Sequence, residues 1–565
     1  MKPLLTLIWM LITLTLVACS QAVNQPEPTP LPPQTTVGKK EVESSIQEEK
    51  RDIPGPVSAD ATGMTASRPA MALKQRNAFT THLPGRLPSE PLDRERYAHY
   101  DENPVKRVAE TPVSTFSIDV DTGSYANLRR ILNEGRLPPR DAVRVEELIN
   151  YFSYNDPAPS DDTTPFRVTT EMGPNPWNSK TRLLRIGIKA WEPEQMELPP
   201  ANLVFLLDVS GSMNSADKLP LLKRSMRLLT RHLDKEDRVS IVVYAGASGV
   251  VLEPTPGNQS AKIEQALSRL QAGGSTNGGA GIRLAYLKAT EAYIDGGINR
   301  VILATDGDFN VGTVNHHSLI DLIEEKRSEE IALTTLGFGS GNYNDRLMEQ
   351  LADHGNGNYG YIDTLMEAQK ILVDELGATL HTVAKDVKIQ IEFNPSRVSE
   401  YRLVGYENRG LAREDFNNDK VDAGEIGAGH SITALYEITL KESGGERIPP
   451  LRYNDNSTTP IKLGNELAHL RLRYKQPDRE KSTLIETPIL ASRMQSTLAD
   501  TSDDFRFTAA VAAFGQQLRG GKYLEDLDYT EIAQLAGNAR GTDTSGYRSD
   551  LLKLVRLAES LQGQR

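Results

Sequence analysis

The sequence has one cysteine, Cys19, among its 565 residues. A single cysteine excludes an internal disulfide framework, a CxxC redox pair and a thiolate zinc site. Basic residues are also in deficit, since 64 Lys and Arg face 76 Asp and Glu and leave a formal net charge of −12. An acidic chain is a poor ligand for a polyanion, so no nucleic-acid partner is expected. The length, with 38% apolar and only 6% aromatic residues, predicts several domains and a solvated linker.

The apolar run at the N-terminus, Leu4–Ala18, has no charge but is too short to span a bilayer comfortably. It follows Met1-Lys2 and is typical of a signal peptide. The run ends in Leu16-Val17-Ala18-Cys19, which resembles the lipobox of bacterial lipoproteins, where the signal is cut before a cysteine that is then lipidated. This resemblance implies a signal peptide over residues 1–18 and several acyl chains at Cys19, which hold a protein stably at a membrane. Because Ser20 and not Asp follows, it also implies the outer membrane of a Gram-negative cell envelope.

Residues 19–105 show no sustained periodicity and contain 12 of the 33 prolines, among Gln, Glu, Ser and Thr. This composition cannot bury enough surface to offset the entropy of ordering. We therefore predict a flexible, partly extended tether. A coil of this length spans on the order of 50 Å, and more where proline stiffens it, so it would hold the folded part away from the lipid.

The middle of the chain alternates apolar strands with helices. Continuous apolar runs over Asn202–Val209, Arg238–Tyr244 and Arg300–Ala304 are typical of strands buried on both faces. Helical spacing lies between them, as over Lys218–Leu233 and Ile282–Ile294. This alternation predicts βαβ units, and hence an α/β domain with a doubly wound, mostly parallel sheet over residues 199–382. In such a sheet the ligand site lies at the carboxyl ends of the strands.

Three loops at that edge carry hard oxygen donors. The first strand leads into Asp208-Val209-Ser210-Gly211-Ser212, a later glycine-rich loop contains Thr276, and the strand at 300–304 leads into Thr305-Asp306-Gly307. Two carboxylates and three hydroxyls, with no thiolate or imidazole, favour Mg²⁺, Mn²⁺ or Ca²⁺ over zinc. The predicted metal ligands are Asp208, Ser210, Ser212, Thr276 and Asp306.

This pattern resembles the von Willebrand factor type A (VWA) domain and its metal-ion-dependent adhesion site (MIDAS). The motif of that site is DxSxS, then a Thr, then an Asp in a TDG-like turn, and the resemblance covers about residues 200–382. It implies that Ser210, Ser212 and Thr276 bind the ion through their hydroxyls. It also implies that Asp208 and Asp306 act directly or through water, with Asp306 better suited to fixing ligands and waters from outside the shell. An ion with so few anionic ligands stays open at one position, which a carboxylate of a partner protein can fill.

The predicted function is that of a lipid-anchored envelope protein, not an enzyme, that binds a protein partner through this cation. Two alternatives stay open: a structural or assembly scaffold whose metal site is incidental, and a metal-dependent hydrolase that uses Asp208 and Asp306. The hydrolase is disfavoured because the motif brings no nucleophile–base arrangement, and Ser212 lies in no GxSxG elbow. His316 and His317, near a predicted helix start, are interpreted as solvated or capping residues.

Two further motifs are incomplete. Gly337–Gly341 follows a strand as a dinucleotide-binding loop does, but it lacks the full GxGxxG pattern. Asp415–Asp419 is similar to a calcium loop, but Lys420 and Ile426 stand where an EF-hand requires Gly and Glu. We interpret the second motif as an acidic surface loop.

The flanking regions differ in pattern. Residues 106–198 form a predicted α+β region. Residues 383–485 show the strand patterns of a β-sandwich, and residues 486–565 have apolar residues at helical spacing. The order of these parts, with the stretch Asp119-Val120-Asp121-Thr122-Gly123-Ser124-Tyr125, resembles the YfbK-like family of bacterial lipoproteins of unknown function. A second metal site at Asp119, Asp121 and Ser124 is an alternative that lacks the accompanying Thr and Asp loops.

Overall fold

The computed structural model describes residues 94–161, 163–192, 198–307, 309, 316–451 and 465–563. The predicted signal peptide, Cys19 and the tether as far as residue 93 lie outside the described residues. Residues 94–103, predicted as the end of the tether, hydrogen bond to the folded part. Arg94 N donates to Gly341 O at 2.9 Å, and Asn103 Nδ2 donates to Gly405 O at 2.7 Å. None of the described helices has the length and apolar character needed to cross a membrane.

The segment before residue 199 supplies strands and two helices. Its elements are β1 (Lys106–Arg107), β2 (Val113–Ser117), α1 (Gly123–Asn133), α2 (Val145–Asn150), β3 (Phe166–Pro174) and β4 (Arg182–Ala190). In α1, Tyr125, Leu128 and Leu132 recur at helical spacing and are all buried. Strand β4 is buried along nearly its whole length, so it lies inside a sheet with cover on both faces.

The central segment forms the α/β domain. Its elements are β5 (Ala201–Asp208), α3 (Leu219–Thr230), β6 (Arg238–Tyr244), β7 (Ser248–Pro256), α4 (Ser260–Arg269), α5 (Gly278–Glu291), β8 (Ile298–Thr305), α6 (His316–Ser328), β9 (Ile331–Phe338), α7 (Asp345–His354), β10 (Tyr359–Ile362), α8 (Leu365–Gln369) and α9 (Leu376–Leu380). The sheet order is β10-β9-β8-β5-β6-β7, and β7 alone among these pairs antiparallel, at the edge. Helices α3 and α4 pack on one face, and α5, α6 and α7 pack on the other. The predicted doubly wound, mostly parallel sheet is confirmed.

Strand β5 lies in the middle of this sheet and positions the predicted site. All of its residues are buried, and Phe205 lies opposite Ile241 of β6 and Ile302 of β8. Its continuous apolar sequence suits a strand with neighbours on both sides and helices on both faces. Asp208 therefore stands at the carboxyl end of the central strand.

The segment after residue 381 completes two antiparallel sheets. Its elements are β11 (Thr382–Phe393), β12 (Val398–Val404), β13 (Gly424–Gly427), β14 (Ser431–Leu440), β15 (Glu466–Lys475), β16 (Thr483–Leu490), α10 (Asp503–Arg519), α11 (Tyr529–Asn538) and α12 (Tyr547–Gln562). One sheet has the order β1-β12-β14-β4-β3, and the other has β13-β11-β15-β16 with β2 also paired to β11. Each sheet therefore joins strands from both sides of the α/β domain, which is inserted between them.

The two sheets face each other across one apolar core, which contains Ile186 and Tyr436 from the first sheet and Ile389 and Leu470 from the second. The predicted β-sandwich is thus built from both flanking regions. Helices α1 and α2 share a second core with α10, α11 and α12. That core confirms the predicted helical C-terminal region and joins it to the N-terminal helices.

Candidate metal centre

The loops that carry the predicted ligands meet at the carboxyl edge of the central sheet. Gly211 N donates a hydrogen bond to Gly274 O at 3.0 Å, so the loop between α4 and α5 lies against the loop after β5. The loop after β8 is tied to the same place by Thr305, whose hydroxyl donates to Asp208 Oδ2 at 2.9 Å. The fold therefore brings together the three stretches that the sequence places far apart.

Asp208 is fully buried and its carboxylate is held on both oxygens. Oδ1 accepts from the backbone N–H of Ser210 at 2.8 Å, and Oδ2 accepts from the hydroxyls of Thr305 at 2.9 Å and Tyr244 at 3.2 Å. Burial raises the pKa of Asp208 to about 6, although the hydrogen bonds from Ser210 lower it. A carboxylate held in this way is oriented before any ligand arrives.

Ser210 and Ser212 place their hydroxyls side by side, with the two Oγ atoms 2.9 Å apart. Ser210 is buried and Ser212 is exposed, so the pair runs from the protein interior to its surface. Neighbouring ligands in an octahedral shell with bonds of about 2.1 Å lie about 3 Å from each other. The spacing of the two hydroxyls therefore fits adjacent positions around Mg²⁺.

Thr276 lies two residues after Gly274 in the loop between α4 and α5, and it is half-buried. Gly274 has a φ of +85°, which favours glycine, and a Cβ at this position would lie 3.2 Å from Gly246 N in the turn between β6 and β7. The glycine lets this loop approach the sheet edge closely. The loop thereby carries Thr276 to the edge that also bears the two serines.

Asp306 is buried, and its Oδ2 accepts a hydrogen bond from the ammonium of Lys218 at 2.9 Å. The following residue, Gly307, has a φ of +88°, and a Cβ there would lie 2.4 Å from the backbone nitrogen of Asn344. The turn that presents Asp306 therefore requires glycine. The Lys218 ammonium also donates to Asn342 Oδ1 at 3.2 Å, in the loop after β9.

Three side chains that contact the predicted ligands are absent from the predicted site: Lys218, Tyr244 and Thr305. Thr305 directly precedes Asp306, and this position in the sequence could have indicated that it belongs to the site. Tyr244 ends a buried strand, so its sequence pattern indicates a core residue. Lys218 stands just before an amphipathic helix, where a lysine is ordinarily solvated. Its partnership with Asp306, 88 residues away, depends on tertiary structure.

The side chains at this edge fit the divalent cation that the MIDAS resemblance implies. Within the described part of the chain, no group of three or more His, Cys, Asp or Glu side chains is arranged to hold a metal ion. The predicted ligand set is of another kind, because it combines two carboxylates with three hydroxyls. Such a set suits Mg²⁺, Mn²⁺ or Ca²⁺, and the spacing of the serine hydroxyls agrees with it. The ligand assignment itself stays a prediction.

The stretch around Asp119 has a different role. Asp119 Oδ2 accepts from Arg409 Nε at 3.1 Å, and Asp121 Oδ2 lies 3.6 Å from Arg409 Nη2. Ser124 donates its hydroxyl to Ala142 O at 2.7 Å. The arginine supplies the positive charge that a metal ion would bring, so these contacts favour a structural role over a second metal site.

The loop Asp415–Asp419 is held by protein donors. Lys388 Nζ donates to Asn418 O at 2.7 Å, and the Ser482 hydroxyl donates to Asp419 Oδ1 at 2.5 Å. These contacts agree with the interpretation of an acidic surface loop. His316 and His317 are exposed at the start of α6, ten and eleven residues after Asp306.

Comparison with known proteins places this architecture in a family. Residues 202–374 match the family model of the von Willebrand factor type A domain, residues 378–561 match that of the C-terminal region of uncharacterized protein YfbK, and residues 91–185 match a model described as von Willebrand factor. Uncharacterized protein YfbK of Escherichia coli (strain K12) is 49% identical over 473 residues, which are 82% of this chain and 81% of that protein. The chain belongs to the YfbK family.

More distant similarities are confined to part of the chain or to its fold. Inter-alpha-trypsin inhibitor heavy chain H3 of Homo sapiens is 24% identical over 272 residues, which are 44% of this chain and 30% of that protein. The solved structure of von Willebrand factor type A from Catenulispora acidiphila is 16% identical with a TM-score of 0.40, and the match covers 72% of this chain and 91% of that chain. The VWA domain of this YfbK-family chain is of a type that mediates protein–protein interactions. Neither named relative, YfbK or the inhibitor heavy chain, carries the name of an enzyme.

Proposed function

We propose that this protein binds a protein partner through a divalent cation held at the carboxyl edge of its VWA domain, and that it is not an enzyme. The observation that carries this proposal is the pair of serine hydroxyls, 2.9 Å apart, beside a buried and oriented Asp208. Ser210, Ser212 and Thr276 would hold the cation, with Asp208 and Asp306 acting directly or through water. Mg²⁺, Mn²⁺ and Ca²⁺ all suit this ligand set.

The partner is proposed to present a carboxylate. Hydroxyl ligands carry no charge, and Asp306 already has Lys218 as a cationic neighbour at 2.9 Å, so a divalent ion here would keep net positive charge. Ser212 is exposed, so solvent and a partner can reach this side of the centre. An Asp or Glu from another protein would then contribute a charge-assisted contact to the open position, and it would dominate the binding energy.

The first prediction concerns the exposed ligand. We expect Ser212→Ala to weaken the binding of Mg²⁺ or Mn²⁺ by about tenfold or more, because one hydroxyl is removed from the shell. Isothermal titration calorimetry on the purified protein measures this change. Ser215→Ala is the matched control, since Ser215 is also exposed and its hydroxyl donates to Asp217 at 2.5 Å. Equal cation affinity in both variants would contradict the assignment of Ser212.

The same pair of variants tests the partner. Immobilised wild-type protein and the Ser215→Ala variant should capture the same envelope proteins in magnesium and release them in a chelator, whereas Ser212→Ala should capture little in either condition. A captured protein should lose binding when a surface Asp or Glu is replaced by Asn or Gln. Partners that stay bound in chelator and on Ser212→Ala would indicate a scaffold whose metal site is incidental. Substrate turnover that needs the five ligand side chains would indicate a hydrolase.

The proposed location is the cell envelope, at the outer membrane, through lipid on Cys19. This rests on the lipobox-like Leu16–Cys19 and on Ser20. We expect Cys19→Ser to abolish incorporation of radiolabelled palmitate, because the thiol that carries the lipid is removed and the signal peptide is no longer cut. Metabolic labelling of cells that express each form measures this, with Ser20→Thr as a control that keeps the cysteine. Undiminished labelling of the Cys19→Ser variant would contradict a lipid anchor at Cys19.

A further inference from the structure

Lys218 is built into the proposed metal centre. Its ammonium lies 2.9 Å from Asp306 Oδ2 and 3.2 Å from Asn342 Oδ1, and the lysine and aspartate side chains are 9% and 0% exposed. The aliphatic part of Lys218 packs over Gly339, where a Cβ would lie 2.2 Å from Lys218 Cγ. The stem is therefore confined between its helix and the loop after β9. An ammonium fixed in this way stays near Asp306 whether or not a cation is bound.

A fixed positive charge has two opposite effects at such a place. Without a cation, it neutralises a buried carboxylate that would otherwise be costly to bury. With a cation, it repels the divalent ion that shares the same carboxylate, and this repulsion is strong because little water separates the charges. The lysine therefore stabilises the cation-free protein and disfavours the cation-bound one.

We propose that Lys218 is an internal counter-cation that weakens divalent-cation binding at this centre and stabilises the cation-free state. This inference rests on the proposed function. It assigns to Lys218 a positioning and tuning role, since the ammonium contacts a predicted ligand and not the ion. A centre weakened in this way would exchange its cation readily, in keeping with reversible attachment to a partner.

Lys218→Met tests the proposal, because methionine keeps an unbranched stem over Gly339 and removes the charge. Relative to wild type, we expect the dissociation constant for Mg²⁺ to fall by about tenfold or more, and the melting temperature in chelator to fall by a few degrees. Lys218→Gln should change both quantities in the same direction, and it provides the answer if the methionine variant does not fold. Lys218→Arg keeps the charge and should restore affinity to within about threefold of wild type.

The matched control is Lys223→Met. Lys223 lies on α3, five residues after Lys218, and its ammonium donates to the backbone carbonyls of Ser268 and Leu270 at 3.0 and 3.1 Å, not to a carboxylate. Its replacement removes the same charge from a place that does not contact Asp306, so it should leave the dissociation constant for Mg²⁺ within about twofold of wild type. Calorimetry with Mg²⁺ as the only ligand and thermal melts in chelator are run on the full chain for every variant.

Each outcome decides the matter. Tighter binding by both neutral variants than by the wild type supports the proposal. Mg²⁺ binding by these variants alone, with none by the wild type, also supports the role of Lys218 but overturns the proposed function. Unchanged or weaker binding by the neutral variants, with normal binding by wild type, overturns the role of Lys218 and leaves the proposed function standing. Absence of binding by all forms overturns both.

Discussion

Replacing Arg144 by methionine should lower the free energy of unfolding by about 3–5 kcal/mol, since it leaves buried carboxylates without their cation. Arg144 directly precedes α2 and is 4% exposed. Its guanidinium lies 3.0 Å from Glu147 Oε1, and it donates to Glu349 Oε2 at 2.7 Å and to Asp345. Glu349 and Asp345 belong to α7 of the VWA domain, so one arginine joins the N-terminal helices to that domain. Urea denaturation followed by circular dichroism at pH 7 measures the loss.

Arg136→Met is the control for this prediction. Arg136 pairs with Glu134 at 2.7 Å, but the two side chains are 49% and 36% exposed. Exposed pairs contribute about 0–1 kcal/mol, so the midpoint of the urea transition should hardly change. If Arg144→Met proved as mild as Arg136→Met, the buried ion pairs would not be what holds α2 against α7.

The stretch around Asp119 also lies at the junction between the N-terminal segment and the VWA domain. Arg409 follows β12 and lies 3.1 Å from Asp119, 3.0 Å from Asp353 and 3.6 Å from Glu349. It therefore joins the N-terminal segment, the VWA domain and the sandwich at one place. Together with Arg144, it ties three parts of the chain to one another by ion pairs. Ion pairs of this kind fix a defined arrangement of domains, because each carboxylate is costly to bury away from its own arginine.

The fold of the central domain is predictable from local patterns. The strand predicted over Arg238–Tyr244 has the bounds that the structure gives for β6. Continuous apolar runs indicate such strands, and apolar residues at helical spacing indicate the buried helices. The helix predicted from Ile282 begins earlier, at Gly278, because Asn277 caps it by accepting from Ala280 N at 3.5 Å. Two glycines at its start carry no side-chain pattern that could reveal this turn.

The joining of the flanking regions is not predictable in the same way. Strand β2 pairs with β11, so that Phe116 lies opposite Ile389, more than 270 residues away. Periodicity shows that each segment is a strand, but it does not indicate which other strand it pairs with. The same distinction holds for the metal centre. Its motif residues are recognisable in the sequence, whereas Lys218 becomes part of the centre only because α3 begins beside the loops after β8 and β9.

Glu146 is a buried carboxyl group beside this junction, and it lacks a cationic partner among the contacts described for it. It is 1% exposed, and its Oε2 finds no hydrogen-bond partner among the residues that the structure describes. The side chain lies against the turn after β12, where a Cβ on Gly405 would be 2.8 Å from Glu146 Oε2. Burial, with a smaller contribution from Glu407, raises the pKa of Glu146 from its ordinary 4.5 to about 8.

This shift fixes the sign of a pH dependence. Between pH 4.5 and about 8 the folded protein keeps a proton on Glu146 that the unfolded chain releases, so stability falls as pH rises through this window. We expect Glu146→Gln, which remains neutral, to raise the free energy of unfolding by roughly 2–5 kcal/mol at pH 8.5 and by less than about 1 kcal/mol at pH 5. Urea denaturation at the two pH values measures this difference. Glu325→Gln, at a side chain 64% exposed, should change stability equally little at both. A gain for Glu146→Gln that was the same at pH 5 and pH 8.5 would show that the carboxyl group does not titrate in this window, and that burial does not hold its proton.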